Sequence, residues 1–220
     1  MSVKPQGSDR PEQARATRAA ILKAARELFT QHGYADTPTD QLCRRAGVTS
    51  GALYHHFRDK RAVFAAVYEI LRREISSKVM AAGTDESDLW ARFRRGCSAY
   101  LDACLDPAVQ RIVSLESWSV LGREAMSDMN SARGSGMVSK GMIQMGIEEA
   151  IDAGFIDEQP SQPLAEIIGG ALGAAGIAIA RSENKEVARR ELGRAVDWLL
   201  GRLKNRVEPN RRTSQPRRRT

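Results

Sequence analysis

Apolar residues recur every three or four positions along most of the chain, which is the spacing of amphipathic α-helices. In the first such segment Ile21, Leu28 and Phe29 lie on one face, and Lys23 lies on the opposite face. Gly33 then closes the helix, as a glycine just after the last helical turn often does. The strict alternation of apolar and polar residues that marks strands is missing, so the pattern predicts an all-α protein.

Two short helices joined by a tight turn are predicted next. The sequence TPTD predicts the start of a helix with Thr37 as its capping residue, and Gly47 ends that helix. The segment 49–57 (TSGALYHHF) predicts a second short helix, which either Thr49 or Ser50 can cap.

The rest of the chain predicts a larger helical region, which brings the total to about nine helices. Its helices are expected at about 60–81, 85–105, 107–121, 137–153, 162–181 and 185–205. The predicted organisation is a disordered polar arm (1–14), a three-helix domain (15–60, with its helix-turn-helix at about 37–57), a larger helical domain (61–205) and a disordered Arg-rich tail (206–220).

Positive charge is concentrated at the two ends of the chain. Residues 1–60 carry ten basic and six acidic side chains, a net charge of +4, whereas residues 61–205 have a net charge of −2. The tail 206–220 adds six arginines and one glutamate. A basic N-terminal module is typical of a protein with a polyanionic partner, although a solvated surface is an equally simple interpretation. We hypothesise that the tail adds phosphate contacts.

Several classes of protein are disfavoured by the sequence. The polar N-terminus does not resemble a secretory signal, and the apolar run 167–180 has fourteen residues where a membrane span needs roughly 20. Three cysteines without CxxC spacing predict neither a disulfide framework nor a zinc site, and they fit a cytoplasmic protein. No catalytic motif is present, so we expect no enzyme activity, metal or cofactor.

The two short helices and the helix before them form a helix-turn-helix pattern, in which the second short helix enters the DNA major groove. The first residues of such a helix must be small or polar to approach base edges. This requirement is met by Thr49, Ser50, Gly51 and Ala52. Its inner face must be apolar, and Leu53 and Phe57 supply that face.

Tyr54, His55 and His56 follow near the rim of this helix, where a phenol and imidazoles can hydrogen-bond phosphate oxygens. Adjacent helical residues point about 100° apart, so the two histidines do not readily share a metal ion. The alternative for either histidine is simple packing against the next helix.

Residues 15–70 resemble the DNA-binding domain of the TetR (tetracycline-repressor-like) family. The shared features are an apolar first helix ending in Phe and then Gly-Tyr, Thr37 before the second helix and Ala-Gly-Val at the turn. Leu-Tyr followed by His and an aromatic residue in the recognition helix, and Lys60 at the start of the fourth helix, complete the set. The resemblance covers about a quarter of the chain.

This resemblance implies double-stranded DNA as the partner and assigns positions that contact it. They are Thr37, Thr39, Thr49, Ser50, Gly51, Ala52, Tyr54, His55, His56 and Lys60. The threonines before and at the start of the second helix and the lysine would meet phosphates, whereas Ser50, Gly51 and Ala52 would face bases. Since Gly51 and Ala52 offer no side-chain hydrogen bond, direct readout of bases is expected to be sparse.

The resemblance also implies a homodimer joined through the last two helices. Small residues fill the first of these helices, and each glycine inside a helix costs about 0.5–1 kcal/mol relative to alanine. Close approach of another helix would compensate for that cost, although a monomeric core remains the alternative. The residues predicted at the interface are Gly169, Gly173, Gly176, Leu192, Val196 and Leu199.

A small-molecule effector is the third implied partner. The resemblance implies an apolar cavity among the middle helices, and methionine and aromatic residues are concentrated between positions 90 and 145. The candidate lining residues are Trp90, Phe93, Tyr100, Trp118, Met126 and Met142, each of which could equally be ordinary core. Effector binding would change the separation of the two recognition helices and so oppose DNA binding.

The expected function is therefore an effector-responsive repressor on a palindromic operator. The alternative is an architectural or coating nucleic-acid-binding protein without an effector, which would use the Arg-rich tail for non-specific affinity.

Overall fold

The computed structural model describes residues 9–122 and 140–204, and every regular element in those ranges is helical. The elements are α1 (Asp9–His32), α2 (Thr39–Ala46), α3 (Ser50–His56), α4 (Lys60–Ala81), α5 (Leu89–Ala103), α6 (107–122), α7 (Lys140–Asp152), α8 (Ser161–Arg181) and α9 (Lys185–Leu203). Within α6, the segment Val109–Glu116 is wound as π-helix. The predicted all-α fold is confirmed.

Helices α1–α3 form one unit, called the head below, whose apolar side chains converge on a small core. Leu42 of α2 and Leu53 of α3 are fully buried, together with Phe29 of α1 and Phe64 of α4. The rings of Phe29, Tyr34 and Phe64 pack with centroids 5.4–5.9 Å apart. The first turns of α4 therefore belong to the core of the head, which ties the head to the rest of the chain.

Helices α4–α9 form the larger unit, called the body. Helix α8 lies at its centre and contacts α6, α7 and α9, while α5 contacts α4. By length and composition alone α8 could cross a membrane. One side of it is instead buried in the body, through Ala165, Ile168, Leu172 and Ile179, as in the core helix of a globular protein.

Local backbone chemistry explains where the short helices begin and end. Gly47 closes α2 with φ +69°, a left-handed conformation that glycine adopts without steric cost. Thr49 caps α3, since its side chain accepts a hydrogen bond from the N–H of Ala52 at 3.2 Å. Asp59 caps α4 by accepting from the N–H of Ala62 at 2.7 Å, which is the main reason its pKa lies below the ordinary value.

Two predictions about helix starts are wrong. Helix α1 begins at Asp9, so residues 9–14 are helical and not part of a disordered arm. Pro11 is tolerated there because the N–H groups of a first helical turn have no partner within the helix. Thr37 does not cap α2: Pro38 occupies the capping position without a side-chain hydrogen bond, and Thr37 is turned inward.

Some predictions lie outside the described residues. They concern the first eight residues, the candidate effector residue Met126 and the Arg-rich tail 206–220. The domain boundaries at 60 and 205 stay predictions.

Candidate nucleic-acid interface

Helix α3 presents its small residues outward and its apolar residues inward. Thr49, Ser50 and Gly51 are exposed, whereas Leu53 is fully buried and Phe57, which follows the helix, is 5% exposed. A Cβ at Gly51 would meet no atom nearer than Thr49 Oγ1, at 3.9 Å. Nothing among the described residues therefore requires glycine at this position. The missing side chain leaves the outer face of the helix open to close approach by another molecule.

The polar end of α3 carries the three rim residues. Tyr54 is 52% exposed, His55 is exposed and His56 is half-buried. The two imidazole rings meet edge to face with centroids 5.3 Å apart. Among the described residues no group of three or more His, Cys, Asp or Glu side chains could hold a metal ion. The rim thus offers phenol and imidazole groups to a hydrogen-bonding partner.

Thr37 lies where it cannot touch a partner. It is fully buried, and its hydroxyl donates to the carbonyl of Gly33 at 2.7 Å. The predicted phosphate contact of the Thr37 side chain is therefore wrong, because the hydroxyl is used to close the loop between α1 and α2. Thr39, the first residue of α2, is half-buried.

Lys60 has a structural task that the sequence did not indicate. Its Nζ donates to the carbonyls of Tyr34 at 2.8 Å and Thr37 at 3.0 Å, and it lies 4.3 Å from the centroid of the Tyr34 ring. An ammonium group has three N–H donors, so two carbonyls leave one that can still meet a phosphate.

Arginines outside the predicted set of contact residues lie beside this surface. The guanidinium of Arg18 sits 5.1 Å from the centroid of the Phe57 ring, next to the end of α3, and Arg58 is exposed. Arg44 on α2 is exposed, while Arg45 is paired with Glu27 at 2.8 Å. The sequence signal for Arg18 was its place one turn before Ile21, the first fully buried residue of α1, but only the packing of α1 against α3 reveals the proximity.

The body contains an apolar cavity of about 420 Å³ between α4, α5 and α7. Arg92 and Glu149 form an ion pair of 2.5 Å on its wall. Most of the other lining residues are apolar: Val79, Met80, Leu89, Phe93, Cys97, Met142, Ile143 and Met145.

The structure places some of the predicted effector residues on the cavity wall and others elsewhere. Phe93 and Met142 line the cavity. Trp90 and Tyr100 are 2% and 5% exposed and do not line it, so they are core residues. Trp118 is 54% exposed on α6, away from the cavity. Methionine composition indicated a region that contains a cavity, but composition alone could not separate the lining from the core.

A second cavity of about 530 Å³ lies between α5 and α9. It is crossed by ion pairs, with Arg94 and Asp197 2.5 Å apart, and Arg189 on its wall 2.7 Å from Asp102. Its charged lining makes it the poorer place for an apolar ligand.

Helices α8 and α9 expose an apolar surface, here called the α8–α9 face. Ile167, Trp198 and Leu199 are 67%, 63% and 46% exposed. The predicted interface residues Leu192 and Val196 are half-buried. Isolated exposed apolar residues are common, but three large ones on two contacting helices form a patch that favours association.

The glycines of α8 do not all face this surface. A Cβ at Gly173 would meet nothing within 4 Å, so that position is open. A Cβ at Gly176 would lie 3.0 Å from Cys104 Sγ and 3.2 Å from the Tyr100 hydroxyl, and one at Gly169 would lie 3.3 Å from Ile143. Both glycines therefore allow close packing inside the chain, and their predicted place in a dimer interface stays a prediction.

Comparison with known proteins agrees with this geometry. A family described as "Bacterial regulatory proteins, tetR family" matches residues 21–67, and one described as "Tetracyclin repressor-like, C-terminal domain" matches residues 90–203. The chain is also similar to the transposon Tn10 TetC protein of Escherichia coli, with 26% identity over 147 residues, which is 64% of this chain and 73% of TetC.

A second curated relative matches a shorter segment of the chain. The regulator AcrR of Shigella flexneri is 39% identical over 64 residues, 29% of this chain and 30% of AcrR. Among solved structures, a TetR-family transcriptional regulator from Pectobacterium atrosepticum has 34% sequence identity and a TM-score of 0.74, covering 90% of this chain and 98% of that protein. These matches, together with the helix-turn-helix of the head, show that the chain belongs to the TetR family of DNA-binding transcriptional regulators.

Proposed function

We propose that this regulator is a cytoplasmic repressor that binds a palindromic operator as a homodimer. A small, largely apolar molecule in the cavity between α4, α5 and α7 releases it from DNA. The observation that carries the proposal is the outward face of α3, where small residues are exposed over a buried apolar side.

The roles in DNA binding follow from exposure. Ser50, Gly51 and Ala52 lie at the start of α3, where a recognition helix contacts base edges. The rim residues Tyr54, His55 and His56, with Lys60 and Thr39, would bind phosphates, and Thr49 adds an exposed hydroxyl beside its capping bond. Arg18, Arg44 and Arg58 join this set because they are exposed beside it. With few base contacts available, phosphate contacts would supply most of the affinity.

The homodimer would form through the α8–α9 face. Its large apolar residues Ile167, Trp198 and Leu199 would be covered by the same residues of a second copy, as two-fold symmetry requires. Gly173 is open toward solvent and would allow the helices of the two copies to approach closely. A two-fold dimer presents two copies of α3, which matches the symmetry of a palindromic site.

The effector proposal rests on the lining of the cavity. A space of about 420 Å³ bounded by Phe93, Met142 and Met145 suits a drug-sized apolar molecule, and methionine adapts its shape to different ligands. Helix α4 lines the cavity through Val79 and Met80 near its end, and the start of the same helix is part of the core of the head. A ligand that shifts α4 would therefore move the head.

The DNA-binding proposal is tested by selecting duplexes from a random library with the purified protein. We expect a two-fold symmetric sequence with half-sites about one helical turn apart, bound roughly 10³-fold more tightly than random duplex. Equal affinity for selected and random duplexes would favour the alternative, a coating protein without an operator.

The effector proposal is tested by filling the cavity. A panel of apolar compounds is screened for release of the selected duplex, first with the wild-type protein and then with Met142→Trp. We expect Met142→Trp to retain DNA binding and lose the response, while Leu115→Trp, on an exposed site of α6 outside the cavity, responds like wild type. A Met142→Trp variant that responds normally would place the effector elsewhere.

A further inference from the structure

The backbone of one residue, Tyr34 in the loop between α1 and α2, is bound by side chains of both α6 and α4. On the body side, Oε2 of Glu116 in α6 accepts a hydrogen bond from the N–H of Tyr34 at 2.9 Å. On the other side, Nζ of Lys60 donates to the carbonyl of Tyr34 at 2.8 Å. The two polar groups of one residue are therefore bound by oppositely charged side chains from two different helices.

The loop around Tyr34 leaves room for the carboxylate of Glu116. Gly33 has φ +84°, a conformation that favours glycine, and a Cβ there would displace the Oε1 atom of Glu116 from its place beside the loop. The Thr37 hydroxyl donates to the carbonyl of Gly33 at 2.7 Å and fixes the same loop from within.

Glu116 is itself held in place. Nε of Arg111, one turn earlier in the π-wound segment of α6, lies 3.2 Å from Oε1. This ion pair leaves Oε2 aimed at the head and partly neutralises the carboxylate. A hydrogen bond that involves a charged group contributes more than a neutral one, so the bond to Tyr34 is the strongest candidate for holding the loop.

Other polar contacts join these regions, among them the ion pair of Arg26 on α1 with Glu74 on α4 at 2.7 Å. Arg61, in the first turn of α4, donates to the carbonyl of Leu121 near the end of α6. Arg26 on α1 approaches Asp106, just before α6, at 3.8 Å, which is beyond hydrogen-bond distance. Unlike these contacts, the bond from Glu116 reaches the loop that leads directly into α2 and α3.

We propose that Glu116 is a positioning residue for DNA recognition: its carboxylate sets the orientation of α2 and α3 relative to the body. The proposal rests on the proposed binding of one operator by two heads. Two recognition helices reach successive half-sites only at one separation, so a head that is free to rotate loses affinity for the operator and not for random DNA. A residue that only stabilised the fold would not produce that selective loss.

The test compares Glu116→Ala, Glu116→Gln and the control Glu158→Gln, an exposed carboxylate in the loop between α7 and α8. Spin labels on Asp40→Cys and Glu183→Cys, both at exposed positions, report the distance from head to body within one chain, measured with an excess of unlabelled protein. The three native cysteines are buried, so they do not compete for the label. Amide exchange of Tyr34 reports the hydrogen bond itself.

For Glu116→Ala we expect a broader label distance, faster exchange at Tyr34 and roughly tenfold weaker binding of the selected duplex, with unchanged binding of random duplex. Glu116→Gln keeps an oxygen that can accept from Tyr34 and loses the charge, so we expect about a threefold loss. Glu158→Gln should match wild type in every measurement.

Unchanged label distances and unchanged duplex preference in Glu116→Ala would overturn the proposal. If that variant does not fold, Glu116→Gln decides, and wild-type exchange at Tyr34 together with wild-type affinity would overturn it. If the wild-type protein itself prefers no duplex, the proposed operator binding fails, while label distance and Tyr34 exchange still decide whether Glu116 orients the head.

Discussion

The head and the body leave different kinds of side chain at their surfaces. On α3, the residues turned outward at the start of the helix are small or polar, and the apolar Leu53 is fully buried. In the body, Ile167, Trp198 and Met145 are each more than half exposed. A hydrated polyanion is approached by small and polar groups, whereas exposed apolar groups gain free energy only when another apolar surface covers them. The two regions are therefore suited to partners of opposite chemistry.

The largest effect on assembly and DNA binding is expected from placing charge on the α8–α9 face. We expect Ile167→Asp combined with Trp198→Asp to make the protein monomeric at micromolar concentration, as measured by sedimentation. Because one head alone then binds, affinity for the selected duplex should fall about 10³-fold, the usual gain from linking two sites.

Met80→Asp is the matched control, since Met80 is equally exposed at 61% but belongs to α4. It should leave the protein dimeric. Dimerisation that survives the double substitution would show that the α8–α9 face is not the interface.

Within α3, the inner and outer positions should respond oppositely. Leu53→Ala removes a fully buried side chain and should lower the free energy of unfolding by about 2–5 kcal/mol, measured by chemical denaturation. Tyr54→Ala, at a position 52% exposed, should change stability by less than about 0.5 kcal/mol and still weaken DNA binding. Equal destabilisation by the two substitutions would contradict the assigned faces.

The junction of head and body offers a smaller effect that depends on pH. The hydrogen bond from the N–H of Ala62 holds the pKa of Asp59 below its ordinary value, so this stabilisation is present at neutral pH and is lost as the pH falls below about 3.8. Asp59→Ala should cost about 1 kcal/mol at pH 7 as the cap of α4 is removed. Asp59→Asn keeps an oxygen that accepts the bond, so it should retain most of the stability and lose its pH dependence.

The smallest effect should have opposite signs in stability and in binding. Gly51→Ala adds a methyl group that meets no atom closer than 3.9 Å, so we expect about 0.5 kcal/mol more stability. The same methyl group lies on the face proposed to approach DNA, so binding of the selected duplex should weaken. A variant that is more stable and binds equally well would show that the helix does not approach closely at this position.

The head could be predicted from sequence because its boundaries depend on neighbouring residues. Helix α2 ends at Ala46 before Gly47, and α4 spans Lys60–Ala81, as predicted, since the residues that set these boundaries act within a few positions of themselves. Thr37 is the exception. The sequence pattern predicted that its hydroxyl caps α2. In the folded loop the hydroxyl instead donates to the carbonyl of Gly33, four residues earlier, at 2.7 Å.

The body could be predicted only as a set of helices. Helix α8 carries small residues on every side, so periodicity could not tell that Gly176 faces Cys104 while Gly173 is open. The separation of Phe93 in the cavity from Trp90 in the core depends on how α5 packs against α4 and α7, which no local pattern records. The hydrogen bond between the N–H of Tyr34 and the carboxylate of Glu116 joins residues 82 positions apart, and no motif in either segment predicts it.

The π-wound segment of α6 makes the chain tolerant of a change in length at one place. Bonds in a π-helix span five residues and those in an α-helix span four, so Val109–Glu116 holds more residues per turn than the ordinary helix on either side. Deleting one residue there would let the segment rewind as α-helix with little change in the orientation of the residues that follow, whereas a deletion in an ordinary α-helix turns them by about 100°. Glu116 ends this segment, so its contact with a loop more than seventy positions earlier in the chain should depend less on the exact length of the segment than a contact made from an ordinary helix would.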